Sequence, residues 1–201
     1  KKWTDIHTYF RSEIKKKRPD MVVGIAYSPT AVSYSQEPWV AGIDLSQDAK
    51  AMDVMCTDPY HNIHYPLFTY RPTRRIVTEA TRSFAGATFN TPMNIYPQGF
   101  APPMSSLEMT HRDGFMAGSI PYALGAETVT PYSYDLMKII PGYFDGFQQA
   151  EILKPYFEKT VPYAYISAIN PFQTELFGYP DEGWGGKVPA LWPDVMNQVG
   201  L

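Results

Sequence analysis

Apolar residues recur along this chain in two alternating rhythms. Trp3, Ile6, Phe10 and Ile14 stand three and four residues apart, which predicts an amphipathic helix over 3–17 with these side chains on one face. Pro19-Asp20 stops it. Met21 to Tyr27 follows as a short apolar run without alternation, the pattern of a strand buried on both faces.

The two rhythms then repeat. Residues 39–50 are weakly helical, and Met52 to Thr57 is a second apolar strand, ending in Asp58-Pro59-Tyr60-His61. Pro72 opens a helix whose inner face is Ile76, Val77, Ala80 and Phe84, with Gly86 at its end. Thr88 to Tyr96 is a third strand, with Pro92 weakening its first half. Ser105 and Glu108 have capping-box spacing for a helix bearing Met109, Phe115, Met116 and Ile120. Gly125 ends that region, Ala126 to Tyr132 is a fourth strand, and a helical stretch covers 143–158. Strands at intervals of about 30 to 40 residues, each followed by a helical segment, predict an α/β fold with a parallel sheet.

An open doubly wound sheet and a (β/α)₈ barrel both fit this order. No Gly-x-Gly-x-x-Gly or P-loop follows any strand, which counts against a nucleotide-binding open sheet. The expectation is therefore the C-terminal half of a (β/α)₈ TIM barrel over 1–160. Residues 161–201 read as the first strand (Tyr163 to Ile169) and helix (Pro189 to Val199) of a following, truncated α/β domain. Both ends read as cut. The expected partners are the missing N-terminal half of the barrel or a second copy.

Composition narrows the chemistry. The net charge of −3 gives no electrostatic reason to expect nucleic acid or an anionic membrane. The basic run Lys15-Lys16-Lys17-Arg18 closes a helix, where cations suit the dipole. No 18-residue apolar stretch exists to span a membrane. The single cysteine, Cys56, excludes an internal disulfide and reads as a buried thiol. Aromatic residues make up 15% of the chain, a supply of rings able to stack on sugar faces or to fill a core.

In a parallel barrel, reactive groups stand at the C-terminal ends of the strands. That rule selects Tyr27 and Ser28; then Thr57, Asp58, Tyr60 and His61; then Asn94, Tyr96 and Gln98; then Tyr132, Ser133, Tyr134 and Asp135. The set is mostly hydroxyls, amides and rings, suited to hydrogen-bonding and stacking against a polyol. Asp58 is the carboxylate best placed for acid/base work, with a loop cap before Pro59 as the plain alternative. Asp135 has the same ambiguity as a helix N-cap. Asp53 and Glu127 lie at strand starts, on the structural end. His61 and His64 sit between Pro59 and Pro66 with no further ligand cluster, so no metal is expected. No cofactor is expected either, and no Gly-x-Ser-x-Gly elbow is present.

These segments carry a family likeness. Met52 to Tyr60 resembles the sixth strand of glycoside-hydrolase barrels, which often ends in Asp-x-Tyr. Asn94-Ile95-Tyr96-Pro97-Gln98-Gly99-Phe100 resembles their seventh strand, and Gly125 to Tyr134 resembles the eighth. Residues 163–201 are similar to the opening of the flavodoxin-like domain that follows the barrel in family 42 β-galactosidases. The resemblance implies a glycoside hydrolase acting on a carbohydrate through paired carboxylates. It also implies an acid/base glutamate at the fourth strand, ahead of this chain, and a nucleophile glutamate at the end of the seventh. Here that stretch carries Gln98, and an amide cannot form a glycosyl-enzyme ester. Either Asp58 takes part in the chemistry, or the chain is a non-catalytic carbohydrate-binding or structural relative. A barrel aldolase or phosphate-binding barrel fits less well: no lysine falls in a predicted strand, and no glycine follows Tyr132 until Gly142.

Overall fold

The computed structural model describes residues 2–27, 44–59, 73–88, 91–99, 109–132 and 134–157. The elements run α1 (Lys2–Lys17), β1 (Gly24–Tyr27), α2 (Leu45–Ala51), β2 (Val54–Thr57), α3 (Thr73–Ala87), β3 (Met93–Ile95), α4 (His111–Ala123), β4 (Thr128–Val129), α5 (Tyr134–Met137) and α6 (Tyr143–Phe157). The protein is mixed α/β, and its four described strands form a parallel sheet in the order β1-β2-β3-β4. The strand–helix alternation read from the periodicity is therefore present. The expected strand at 163–169 and helix at 189–199 lie outside the described residues, as do Ser105 and Glu108.

The chain divides into two compact units. The described parts of the first fall within Lys1–Thr57 and Arg82–Met93, and those of the second within Asp58–Thr81 and Asn94–Ser167.

In the first unit β1 and β2 pair from Gly24↔Val54 to Tyr27↔Thr57. Glycine at position 24 is required by close approach, since a Cβ there would stand 2.4 Å from Val54 Cγ1. Asp44 caps α2 by accepting from Gln47 N–H, while Leu45 and Ala49 are buried. Met55, Cys56 and Phe84 are also buried in this unit, which bears out the reading of Cys56.

α1 forms where expected, but its apolar stripe lies beside the inward face rather than on it, with Ile14 half-buried between the two. Trp3, Ile6 and Phe10 are 50%, 42% and 57% exposed. The face turned inward is His7, Arg11 and Lys15, four residues apart. His7 Nδ1 lies 3.2 Å from Asp48 Oδ1. Arg11 Nη2 and Lys15 Nζ lie 2.6 and 2.8 Å from the two oxygens of Asp53. The helix is held by charge and hydrogen bonds, and hydrophobic periodicity alone does not register such ties.

In the second unit α4 packs on α6. Its capping box is Thr110 with Asp113, so Met109 precedes the helix rather than lying in it, and is buried. The two backbones meet through glycine. A Cβ on Gly114 would stand 2.2 Å from Pro141 O, and one on Gly146 would stand 2.4 Å from Phe115 O. Gly142 has a φ of 85°, and a Cβ there would stand 1.9 Å from His111 O. Met109, Ala117, Met137, Ile140 and Tyr143 form the core beside this contact, with Phe147 against it. β3 and β4 pair through Asn94↔Thr128 and Ile95↔Val129.

Candidate functional site

The second unit gathers most of the candidate residues at the ends of its two strands. Asn94 lies within β3, and its side-chain oxygen accepts a hydrogen bond from Thr130 Oγ1 at 3.3 Å. Tyr96 follows two residues later and is half-buried. The pairing continues beyond the strands: Gln98 and Tyr132 form a parallel bridge, and Tyr132 N–H donates to Pro97 O at 3.0 Å. Parallel pairing thus brings Asn94, Gln98 and Tyr132 onto one short stretch of ladder.

The environments of these groups differ. Gln98 is fully buried, and its backbone carbonyl accepts from the hydroxyl of Tyr143. Burial pushes the Tyr143 phenol well above its ordinary pKa, so this hydroxyl remains a donor. Tyr132 is half exposed. Asp58 is half-buried directly after β2. Tyr134 begins α5, and Asp135 in its first turn is exposed and pairs with Lys138 Nζ at 3.2 Å. Ser28, Tyr60, His61 and Ser133 lie outside the described residues. The described part of the set offers carboxylates at Asp58 and Asp135, neutral amides and hydroxyls, and the half-exposed ring of Tyr132. Among the described residues no group of His, Cys, Asp and Glu has the arrangement of a metal site.

Tyr27 belongs to the first unit and to a different cluster. It is the last residue of β1 and buried, and its hydroxyl donates to Asp48 Oδ2. Burial first, and then the Asp48 carboxylate, raise its pKa well above that of an ordinary phenol. Asp48 is fully buried and also meets His7, whose ring stacks on Trp3 at a centroid distance of 5.9 Å. Neither Asp48, the partner of Tyr27, nor His7, which meets Asp48, was legible as part of this cluster. They stand 21 and 20 residues away along the chain, and no local spacing marks them. Nearby, Thr57 closes β2 with its side chain fully buried. Its Oγ1 is the buried side-chain polar atom without a hydrogen-bond partner among the described residues.

Fold and site define a mixed α/β protein with a parallel sheet, whose strand ends are followed by neutral polar and aromatic groups and the carboxylates Asp58 and Asp135. No family model, curated protein or solved structure gives a significant match to this chain.

Proposed function

We propose that this chain is part of a carbohydrate-active protein of the glycoside-hydrolase barrel type. Asp58 is its acid/base carboxylate, and Asn94, Tyr96, Gln98 and Tyr132 hold the sugar, with Tyr60, His61, Tyr134 and Asp135 completing the substrate-binding set. The observation that carries this reading is the strand order. Four parallel strands in sequence order wind in one direction, as in a barrel, whereas a doubly wound sheet reverses direction at a switch point. The short likenesses of 52–60, 94–100 and 125–134 to barrel strands six to eight then select the sugar chemistry. On this reading four further strands close the barrel, supplied by the same polypeptide or by a partner, and they bring the second carboxylate.

One observation favours a second reading, a non-catalytic carbohydrate-binding relative. Gln98 stands where the resemblance expects a nucleophile glutamate, and it is fully buried. Its amide can hydrogen-bond a hydroxyl but cannot make a covalent glycosyl ester.

The test uses the protein isolated from its source together with everything that copurifies. A panel of aryl glycosides reports turnover, and calorimetry with oligosaccharides reports binding. Turnover abolished by Asp58→Asn with binding retained supports the hydrolase. Binding without turnover, indifferent to Asp58→Asn, supports the second reading. Neither turnover nor binding with any sugar refutes both.

A further inference from the structure

We propose that one face of the β3–β4 ladder is a recognition surface for an uncharged oligosaccharide, with Thr130 as a positioning residue for Asn94; this rests on the carbohydrate reading above. Asn94 pairs with Thr128 and Gln98 bridges Tyr132, a constant offset of 34 residues, so Tyr96 stands opposite Thr130. Alternate residues of a strand share a face, which puts Asn94, Tyr96 and Gln98 together with Thr128, Thr130 and Tyr132. All six are polar or aromatic, and none is charged. Asn94 and Tyr96 are half-buried, Thr128, Thr130 and Tyr132 are exposed, and Gln98 closes the far end, fully buried. The opposite face is apolar: Ile95 and Pro97 are buried, Val129 and Pro131 half-buried. Parallel strands are normally covered on both faces and read as unbroken apolar runs, as Val54-Met55-Cys56 of β2 does. A parallel ladder that is polar along one whole face departs from that rule, and such departures belong to functional sites.

The geometry fixes what the occupant must offer. Thr130 Oγ1 donates to Asn94 Oδ1 at 3.3 Å, which turns the Asn94 NH2 group, a pair of donors, toward a ligand oxygen. The Thr130 backbone is held separately, its N–H donating to Ile95 O at 2.9 Å, so a change of side chain leaves the ladder bond in place. Tyr132 sets a half-exposed ring at the C-terminal end, where the apolar face of a sugar can stack. From Thr128 to Tyr132 the ladder runs about 13 Å, longer than one sugar ring. A charged sugar would give up hydration here and meet no counter-charge on this face. Lys138, which follows the ladder, is paired with Asp135 at 3.2 Å. The occupant is therefore neutral, rich in hydroxyls and more than one ring long.

Calorimetry on the whole chain, together with everything that copurifies, tests this. The probes are neutral trisaccharides of glucose, galactose, mannose or xylose, the matching monosaccharides, and trisaccharides of galacturonate or glucosamine as charged counterparts. A neutral trisaccharide should bind, and its monosaccharide and the charged counterparts should bind at least about tenfold more weakly. Thr130→Val should weaken trisaccharide binding about fivefold, and Thr130→Ser, which keeps the hydroxyl, should not. The urea midpoint of Thr130→Val should stay unchanged, because the side chain is exposed and remains β-branched. Trisaccharide binding that Thr130→Val leaves intact overturns the proposal while the carbohydrate reading stands. So does a loss that Thr130→Ser shares, or equal affinity for a charged trisaccharide or a monosaccharide. Binding of no sugar at all overturns both.

Discussion

Replacing Asp53 by asparagine keeps the shape of the side chain and removes its charge. One carboxylate oxygen accepts from Arg11 Nη2 at 2.6 Å and Nε at 3.1 Å. The other meets Lys15 Nζ at 2.8 Å and the Val23 N–H at 3.0 Å. Arg11 and Lys15 are 38% and 27% exposed, so water screens both pairs and each contributes about 0.5 kcal/mol. The backbone bond to a charged acceptor adds about 1 kcal/mol. Asp53→Asn should therefore cost about 2 kcal/mol at pH 7, read as a lower urea midpoint at constant slope. The pH dependence has a definite sign. The Lys15 ammonium first, with Arg11 and the Val23 N–H, lowers the folded-state pKa of Asp53 against the opposing effect of partial burial. A lowered folded pKa contributes stability above the unfolded value of about 3.9, and that stability is lost as pH falls toward the folded one. The gap between wild type and Asp53→Asn should be constant from pH 8 to about 5 and shrink below about pH 4. A cost below about 0.5 kcal/mol, or a gap that persists unchanged at low pH, would refute the reasoning.

Two further substitutions test the packing. Gly142→Ala places a Cβ 1.9 Å from His111 O at a φ of 85°, and should cost more than about 4 kcal/mol in thermal or urea unfolding; a loss under about 1 kcal/mol would show that α4 and α6 do not meet as described. Thr57→Val removes a buried hydroxyl with no partner among the described residues while keeping the volume, so it should leave stability unchanged or raise it by up to about 1 kcal/mol. A loss greater than about 1 kcal/mol would mean that this oxygen is hydrogen-bonded in the protein.

Local pattern was enough for the alternation of elements. Val77, Ala80 and Phe84 are buried on α3 as their spacing predicts, and Met55 and Cys56 are buried in β2 as their unbroken apolar run predicts. Backbone hydrogen bonding and side-chain periodicity are properties of neighbouring residues, so the sequence carries them openly. Candidate positions at strand ends were legible for the same reason, because a strand's direction along the chain sets which residue comes last. Their surroundings were not. That Gln98 is buried and Tyr132 half exposed, or that Tyr27 binds Asp48, depends on elements that meet across gaps of 20 residues or more.

α1 shows the division most clearly. Its periodicity determined that a helix forms and that one flank is apolar. Which flank faces the protein was decided by Asp48 and Asp53, carboxylates 41 and 42 residues from His7 and Arg11. Hydrophobic burial is non-directional and follows area, whereas ion pairs and hydrogen bonds require a partner at a particular place. Only the tertiary structure supplies that place.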